Sequence, residues 1–574
     1  MRHAIHRPSS LIPALLLGFC VLAMALTARA QTTVYWDVNG NQGGTGISPT
    51  GTWSTSSTNW NTKASGGGQS LSTWTNGNNA VFSAGVGAVG SYTVTVSGTV
   101  DAASIVIQEG TPTFAGGTIR LAPGGTFDVG TNLTTTVNSV LGDWNYSGLN
   151  KTGAGNLVLG GANTFQAPVT VSAGTLTLAN NDALGQAGTW NNTVASGATL
   201  ALQGGITVNE GGFKINGAGA GSAGAINNVS GTNTLGGAVT LMSDSTIASS
   251  AGALTLTGDL SLNNADTSVA NNLAIAGAGN VTLSGAIYGG STNTQFNKNG
   301  SGTLTLAGTT ANTFQGAFNV NSGTVALAKS DGTNALASTS VNIASGATLR
   351  LDANNQIADY TGPITVAAGG TLNVNGKTES VNTLASNGTI ALGSGGTLTV
   401  GVNSGNVSIG NATAANAITG TGTLIKGGSG TLALLSNIIN SNLNLQLSAG
   451  TLALSGYNLT AGTLHVTGNS TIDFGGGNST LSLTNLIIDS GVTLTITNWT
   501  GAADYFYTQG WTGASFDTSG SPPMNQVIFS GAPGETHWQS NDKQVTPVPE
   551  PATYGALLLL GAGGLAAWRR WRRA

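Results

Sequence analysis

The stretch Lys151–Leu184, KTGAGNLVLGGANTFQAPVTVSAGTLTLANNDAL, decides the fold. It holds three short apolar runs, Leu157-Val158-Leu159, Val169-Thr170-Val171 and Thr175–Leu178, separated by Gly, Asn and Ala. The same order of features returns at Lys298, KNGSGTLTLAGTTANTFQGAFNVNSGTVALAKSDGTNAL, and more loosely at Lys426, KGGSGTLALLSNIINSNLNLQLSAGTLAL. The first two share K-x-G-x-G-x-L-x-L, A-N-T-F-Q and S-x-G-T-L/V-x-L, in that order. Inside them lies a shorter unit, G-T-L-x-L, whose variants begin at Gly302, Gly323, Gly346, Gly370 and Gly396, 20 to 26 residues apart.

Each unit alternates apolar and polar residues, so one face of every strand is apolar. Glycine is expected to supply the positive φ of the turn before each strand. A lone unit of this length cannot bury its own apolar face, whereas stacked units cover one another. The pattern therefore predicts an all-β, parallel β-solenoid. With roughly 22 residues per rung and ~4.8 Å between rungs, Tyr92–Thr500 gives about 18 rungs and a rod on the order of 85 Å long. Leu304, Leu306, Val325 and Leu327 are predicted to point inward. Asn163 and Asn312, in the two A-N-T-F segments, suit turns and are candidates for stacked asparagine ladders.

Composition supports order. Only 7% of the 574 residues are charged, but 40% are hydrophobic, which is too apolar for a disordered chain. A repeat array of this length forms one elongated body as readily as several domains.

Residues 1–30 read as a secretory signal. Arg2 and Arg7 precede an apolar core from Leu11 to Leu26, and Ala28-Arg29-Ala30 supplies an A-x-A cleavage site. The one cysteine, Cys20, lies inside that core and follows Phe19, where a lipoprotein would need a small residue. The chain from Gln31 onward thus has no thiol for a disulfide or a metal. Residues 31–91 form a Trp-rich cap region with Trp36, Trp53, Trp60 and Trp74. Those rings either cover the first open rung or present faces for carbohydrate contact. Residues 92–500 are the repeat region. Residues 501–547, rich in Tyr, Phe and Trp, read as a second cap with a linker.

The last segment, 548–574, opens with Val548-Pro549-Glu550-Pro551. An uncharged span, Tyr554–Trp568, follows, and then Arg569, Arg570, Arg572 and Arg573. Counted from Ala552 the uncharged span is 17 residues, at the short end of a membrane-crossing helix. The arginines would keep the C-terminus cytoplasmic.

Two family resemblances follow from these motifs. The V-P-E-P, hydrophobic span and arginine cluster resemble the PEP-CTERM sorting signal of exported bacterial proteins. That resemblance implies processing by an exosortase-type membrane protease, attachment to the inner membrane, transient or permanent, through a C-terminal hydrophobic helix, and delivery to a cell surface associated with extracellular polysaccharide. The repeats at Lys151 and Lys298 resemble the autotransporter-associated β-strand repeat, which implies a right-handed parallel β-helix. An autotransporter would end in an outer-membrane barrel of alternating strands, whereas this chain ends in WRRWRRA.

Chemistry is sparse in the sequence. The first 30 residues and the tail together hold seven arginines, which leaves 10 Lys+Arg against 21 Asp+Glu from Gln31 to Pro551. So little positive charge argues against nucleic acid as a partner. Glycoside hydrolysis needs two facing carboxylates, but Asp244, Asp259, Asp266, Asp352, Asp359, Asp473 and Asp489 sit mostly alone in turns. Arg350 and Asp352 share a strand face and read as a surface ion pair. His465 and His537 are expected to have no nearby ligand partners, and GAGAGSAG at Gly217–Gly224 lacks the lysine and the following helix of a phosphate loop. The expectation is a surface rod that is structural or adhesive, with no catalytic residue, cofactor or metal. The alternative is a rod that binds or degrades polysaccharide.

Overall fold

A computed structural model describes residues 31–548, apart from 86, 147, 187, 189, 190, 210, 360, 361, 412–415, 514–523, 533, 534 and 540. The chain is an all-β parallel solenoid of about 18 rungs. One large sheet runs from the first strand to Val527–Phe529. A second spans Thr207–Val208 to Ile418–Thr419, and a third Thr378–Val381 to Gln544–Val548.

The alternation read from sequence becomes columns. Val281, Leu304, Val325, Leu349, Leu372, Ile390 and Ile418 occupy one register position on seven successive rungs of the second sheet. All of them are buried, as are Leu306 and Leu327. The outward neighbours Thr303, Thr324, Thr348, Thr371 and Thr389 form a parallel column of hydroxyls. Each rung covers the apolar edge of the next, so one continuous core fills the axis.

Glycine serves two ends here. Gly323 has φ +69° and provides the left-handed corner that was expected. Gly302 is needed for room, because a Cβ there would fall on the carbonyl oxygen of Gly279 in the rung below.

Asparagine ladders form, but at other positions than expected. Asn342 donates to Asn319 and Asn319 to Asn297, each at 2.8 Å, on three successive rungs. Asn163 and Asn312 are instead buried cross-ties. The Asn163 amide accepts from Leu141 N–H (2.8 Å) and donates to Ala183 O (2.7 Å), joining the rungs on either side. Asn312 does the same between Ile287 and Ala335, both at 2.9 Å.

Both ends are closed by antiparallel pairing. At the start, Thr33–Trp36 pairs antiparallel with Trp60–Asn61 and parallel with Asn78–Phe82. At the other end, the hairpin Glu535–Gln539 and Gln544–Val548 lies over Tyr505–Gly513. The parallel ladder itself extends past residue 500: Tyr505–Gly513 stacks on Thr480–Ile488, and Val527–Phe529 on Leu494–Thr497. Half-buried Trp499 packs edge-on to Phe474 and Phe529 against the shared core.

Among the described residues no helix is long and apolar enough to cross a membrane. The hydrophobic tail lies outside those residues, as do the leader and its Ala28 and Ala30.

Candidate functional site

The four tryptophans are not an open platform. Trp36, Trp53, Trp60 and Trp74 are buried, with ring centroids 4.8–5.4 Å apart and Phe82 among them. Trp36 further donates its indole N–H to Pro49 O at 2.8 Å. Their faces are taken up by one another and by Phe82, and among the described residues they close the first rung.

The K-x-G-x-G corners hold what the sequence left unread. Lys151, Lys298 and Lys426 stand in interior columns, in register with Phe127, Ile275 and Val400 of the rungs below. All three are buried. Lys151 Nζ donates to the carbonyls of Thr152 (2.7 Å), Gly153 (2.8 Å) and Ala173 (3.2 Å), the last belonging to the next rung. Lys298 Nζ reaches Gly300 O and Ser322 O in the same way, and Lys426 Nζ reaches Gly427 O and Gly428 O. A buried Lys329 ties Ala307 O at 2.8 Å. Burial lowers all four amines, those of Lys151 and Lys298 to about 8. The motif lysine is thus a corner tie, and its ammonium takes up carbonyls that the bend leaves without ladder partners.

The charged groups pair off in small surface contacts. Arg350 makes a two-pronged bond to Asp352 (2.7 Å twice), as the sequence suggested, and Arg120 does the same to Asp101 (2.6 and 2.9 Å). His465 and His537 do have partners after all: Asp489 at 2.8 Å, from a neighbouring rung, and Glu535 at 3.5 Å. The lone turn acids hold backbone, for example Asp244 on Asn272 N–H (2.7 Å) and Asp259 on Ala286 N–H (2.8 Å). Among the described residues no group of three or more His, Cys, Asp or Glu could hold a metal.

An open groove of about 620 Å³ lies between segments 162–164, 181–186 and 207–209 of three successive rungs. Its walls carry exposed Thr164, Asn181, Asp182, Gln186, Thr207 and Asn209. Asn181 Oδ1 accepts from Thr207 N–H (2.8 Å), and Gln166 donates to Gln186 (2.7 Å), so the loops fix each other. The lining is hydroxyl and amide with one carboxylate, a surface suited to multiple hydrogen bonds with a polar, uncharged ligand.

Sequence comparison matches 149–178, 296–327 and 345–374 to the passenger-associated-transport-repeat. The chain carries three such repeats. The first two contain the corners of Lys151 and Lys298. The third covers the rungs of Leu349 and Leu372, and Lys426 lies beyond all three matches although it repeats the corner geometry. Residues 547–573 match the PEP-CTERM protein-sorting motif. Its start overlaps the closing hairpin, where Pro547 pairs with Thr536 and Val548 with Glu535. Pro549, Glu550, Pro551 and Arg569, Arg570, Arg572 and Arg573 lie outside the described residues. The Adhesin BmaC autotransporter of Brucella suis biovar 1 (strain 1330) is 35% identical over 212 residues. That stretch is 36% of this chain and 6% of the relative. No solved structure matches.

Proposed function

We propose that this chain is an exported surface protein, sorted through its PEP-CTERM motif, whose solenoid is an adhesive spine. The observation that carries the reading is the 35% identity to an autotransporter adhesin, on a body whose outward columns are small hydroxyl and amide side chains. Such a surface makes many weak polar contacts along its length and leaves charge chemistry aside. The sorting motif supports processing by an exosortase-type membrane protease, with the tail at the inner membrane beforehand. The spine then stands outside the cell without catalytic work. Beads coated with the purified protein should be retained under flow on surfaces carrying extracellular polysaccharide or matrix protein. Retention no better than that of albumin-coated beads on every surface would overturn the proposal. Release of reducing ends or unsaturated sugars from a polysaccharide panel would mark an enzyme instead.

The groove between residues 162 and 209 favours polysaccharide as the adherend, since amides and hydroxyls recognise sugar hydroxyls. Asn181→Ala with Gln186→Ala should lower retention on polysaccharide several-fold and leave retention on matrix protein unchanged. Equal loss on both surfaces would count against the groove.

A further inference from the structure

Strand Tyr505–Gly513 carries an aromatic pair where the rungs beneath it carry hydroxyls. Buried Phe506 takes the interior position there, and Tyr505 and Tyr507 flank it on the outward face. Their rings are parallel to within 5°, with centroids 5.9 Å apart, and Tyr505 is 37% exposed. A flat ligand aligned with one ring is therefore aligned with the other. Neither ring joins the continuous core, so the packing of the solenoid does not account for them.

Register extends this face on both sides. Tyr507 lies in line with Ser482 and Thr460 of the two preceding rungs and, across the antiparallel junction, with Gln544 and Gln539 of the hairpin. That column covers four strand spacings, about 19 Å. Tyr505 lies in line with Thr480, whose N–H donates to Oδ1 of exposed Asn458 at 2.9 Å. The hydroxyls of Thr460, Thr480 and Ser482 and the side-chain amide of Gln544 make no hydrogen bond to another described residue. In the ladder of Asn297, Asn319 and Asn342 the amides bond one another, whereas here donors and acceptors are left to the outside. No residue of the Thr460–Gln539 column is charged. The hairpin's charges are engaged elsewhere: His537 pairs with Glu535 at 3.5 Å, and the Lys543 ammonium sits 4.8 Å over the Trp538 ring.

We infer that this face is a second polysaccharide-binding site, which takes an uncharged pyranose chain laid across the strands. A pyranose ring presents C–H groups to the phenol faces and a rim of hydroxyls to the threonine, serine and glutamine groups beside them. An acidic chain would find no cation in the column. The site lies on the closing rungs, apart from the groove between residues 162 and 209. A polysaccharide network that engages both is held more tightly than by either alone. The inference rests on the reading of polysaccharide as the adherend and names the sugar class.

Depletion of the full chain, in detergent, onto insoluble neutral glucan, mannan and galactan measures the affinity. Wild type should bind at least one of them. On that polysaccharide Tyr505→Ala with Tyr507→Ala should weaken binding about ten-fold, the loss of two stacked faces. Tyr505→Phe with Tyr507→Phe keeps those faces and should bind nearly as wild type does. Thr460→Val with Ser482→Ala should weaken binding several-fold. All these side chains point outward, so thermal midpoints should not move. Alanine and phenylalanine pairs that both bind like wild type, or both lose binding equally, overturn the site and leave the adhesive reading standing. A loss confined to matrix-protein surfaces would give the rings to a protein partner and overturns it too. Wild type that binds none of the three polysaccharides overturns both the site and polysaccharide as the adherend.

Discussion

Glu379 stands directly in register with Leu398, a carboxyl in an interior column whose next member is Leu424. Its oxygens accept the N–H groups of Gln356 (2.7 Å), Ile357 (3.1 Å) and Ser380 (3.0 Å). Burial nevertheless outweighs those bonds and, with Asp359 nearby, raises the carboxyl from 4.5 to about 7. A carboxyl raised on folding stabilises fully below its unfolded value, and that stabilisation is lost as pH climbs through the folded one. The urea midpoint should therefore fall between pH 4.5 and 7 by the equivalent of roughly 3 kcal/mol at most. Glu379→Gln should remove most of that slope. Parallel pH profiles for the two proteins would refute the assignment.

The corner lysines carry the opposite sign. Lys298 titrates near 8 when folded and 10.5 when free, because burial disfavours its charge. Between those values the unfolded chain holds the extra proton, so this group adds stability as pH rises from 8 to 10.5 and loses it on the way back. Against Lys298→Met, the wild-type midpoint should gain ground across that window. Lys298→Ala at pH 7 should cost about 2–4 kcal/mol, from a cavity and from the carbonyls of Gly300 and Ser322 left without their donor.

Two glycines separate space from conformation. A Cβ on Gly302 collides with the backbone of the rung beneath, whereas one on Gly346 meets nothing within 4 Å and bears only a left-handed φ of +75°. Gly346→Ala should cost on the order of 1 kcal/mol. Gly302→Ala should cost several times more, because two rungs must move apart. Thermal melts that rank the pair the other way would show that stacking tolerates a local shift.

Trp60 makes edge contacts with Trp36 (5.2 Å) and Phe82 (5.4 Å). Trp60→Ala should cost about 3–5 kcal/mol in the closing rung, seen as early loss of near-UV dichroism. Polysaccharide retention of the still-folded fraction should not change. A selective loss of retention would restore the sugar-contact reading.

The solenoid was legible because Gly302, Gly323 and Gly346 punctuate units whose period is the rung itself, and alternation at Leu304 and Leu306 gives the inward face directly. The corner lysines were legible in principle. Lys298 follows Phe296 by two and Lys426 follows Leu424 by two, so strand parity alone turns both inward. Charge masked that signal, since a lysine ordinarily reads as solvated. Pairs such as His465 with Asp489 were not legible, because the contact depends on register between rungs. The groove has the same origin: its wall residues, Thr164 to Asn209, come from three rungs and converge only once those rungs stack. The tryptophans left two readings open, covering the first rung or facing a sugar, because an aromatic in a Gly- and Ser-rich segment looks the same in sequence either way; their burial favours the cover.

The buried ties have a consequence for endurance outside the cell. Trypsin-like proteases need a basic side chain extended into their specificity pocket. Between Gln31 and Pro551 the chain offers ten. Lys151, Lys298, Lys329 and Lys426 are sealed in the core, and Arg120 and Arg350 are clamped by aspartates. Four of the ten handles are thus withdrawn into the joints of the solenoid and two more are held by aspartates, which leaves such a protease Lys63, Lys214, Lys377 and Lys543.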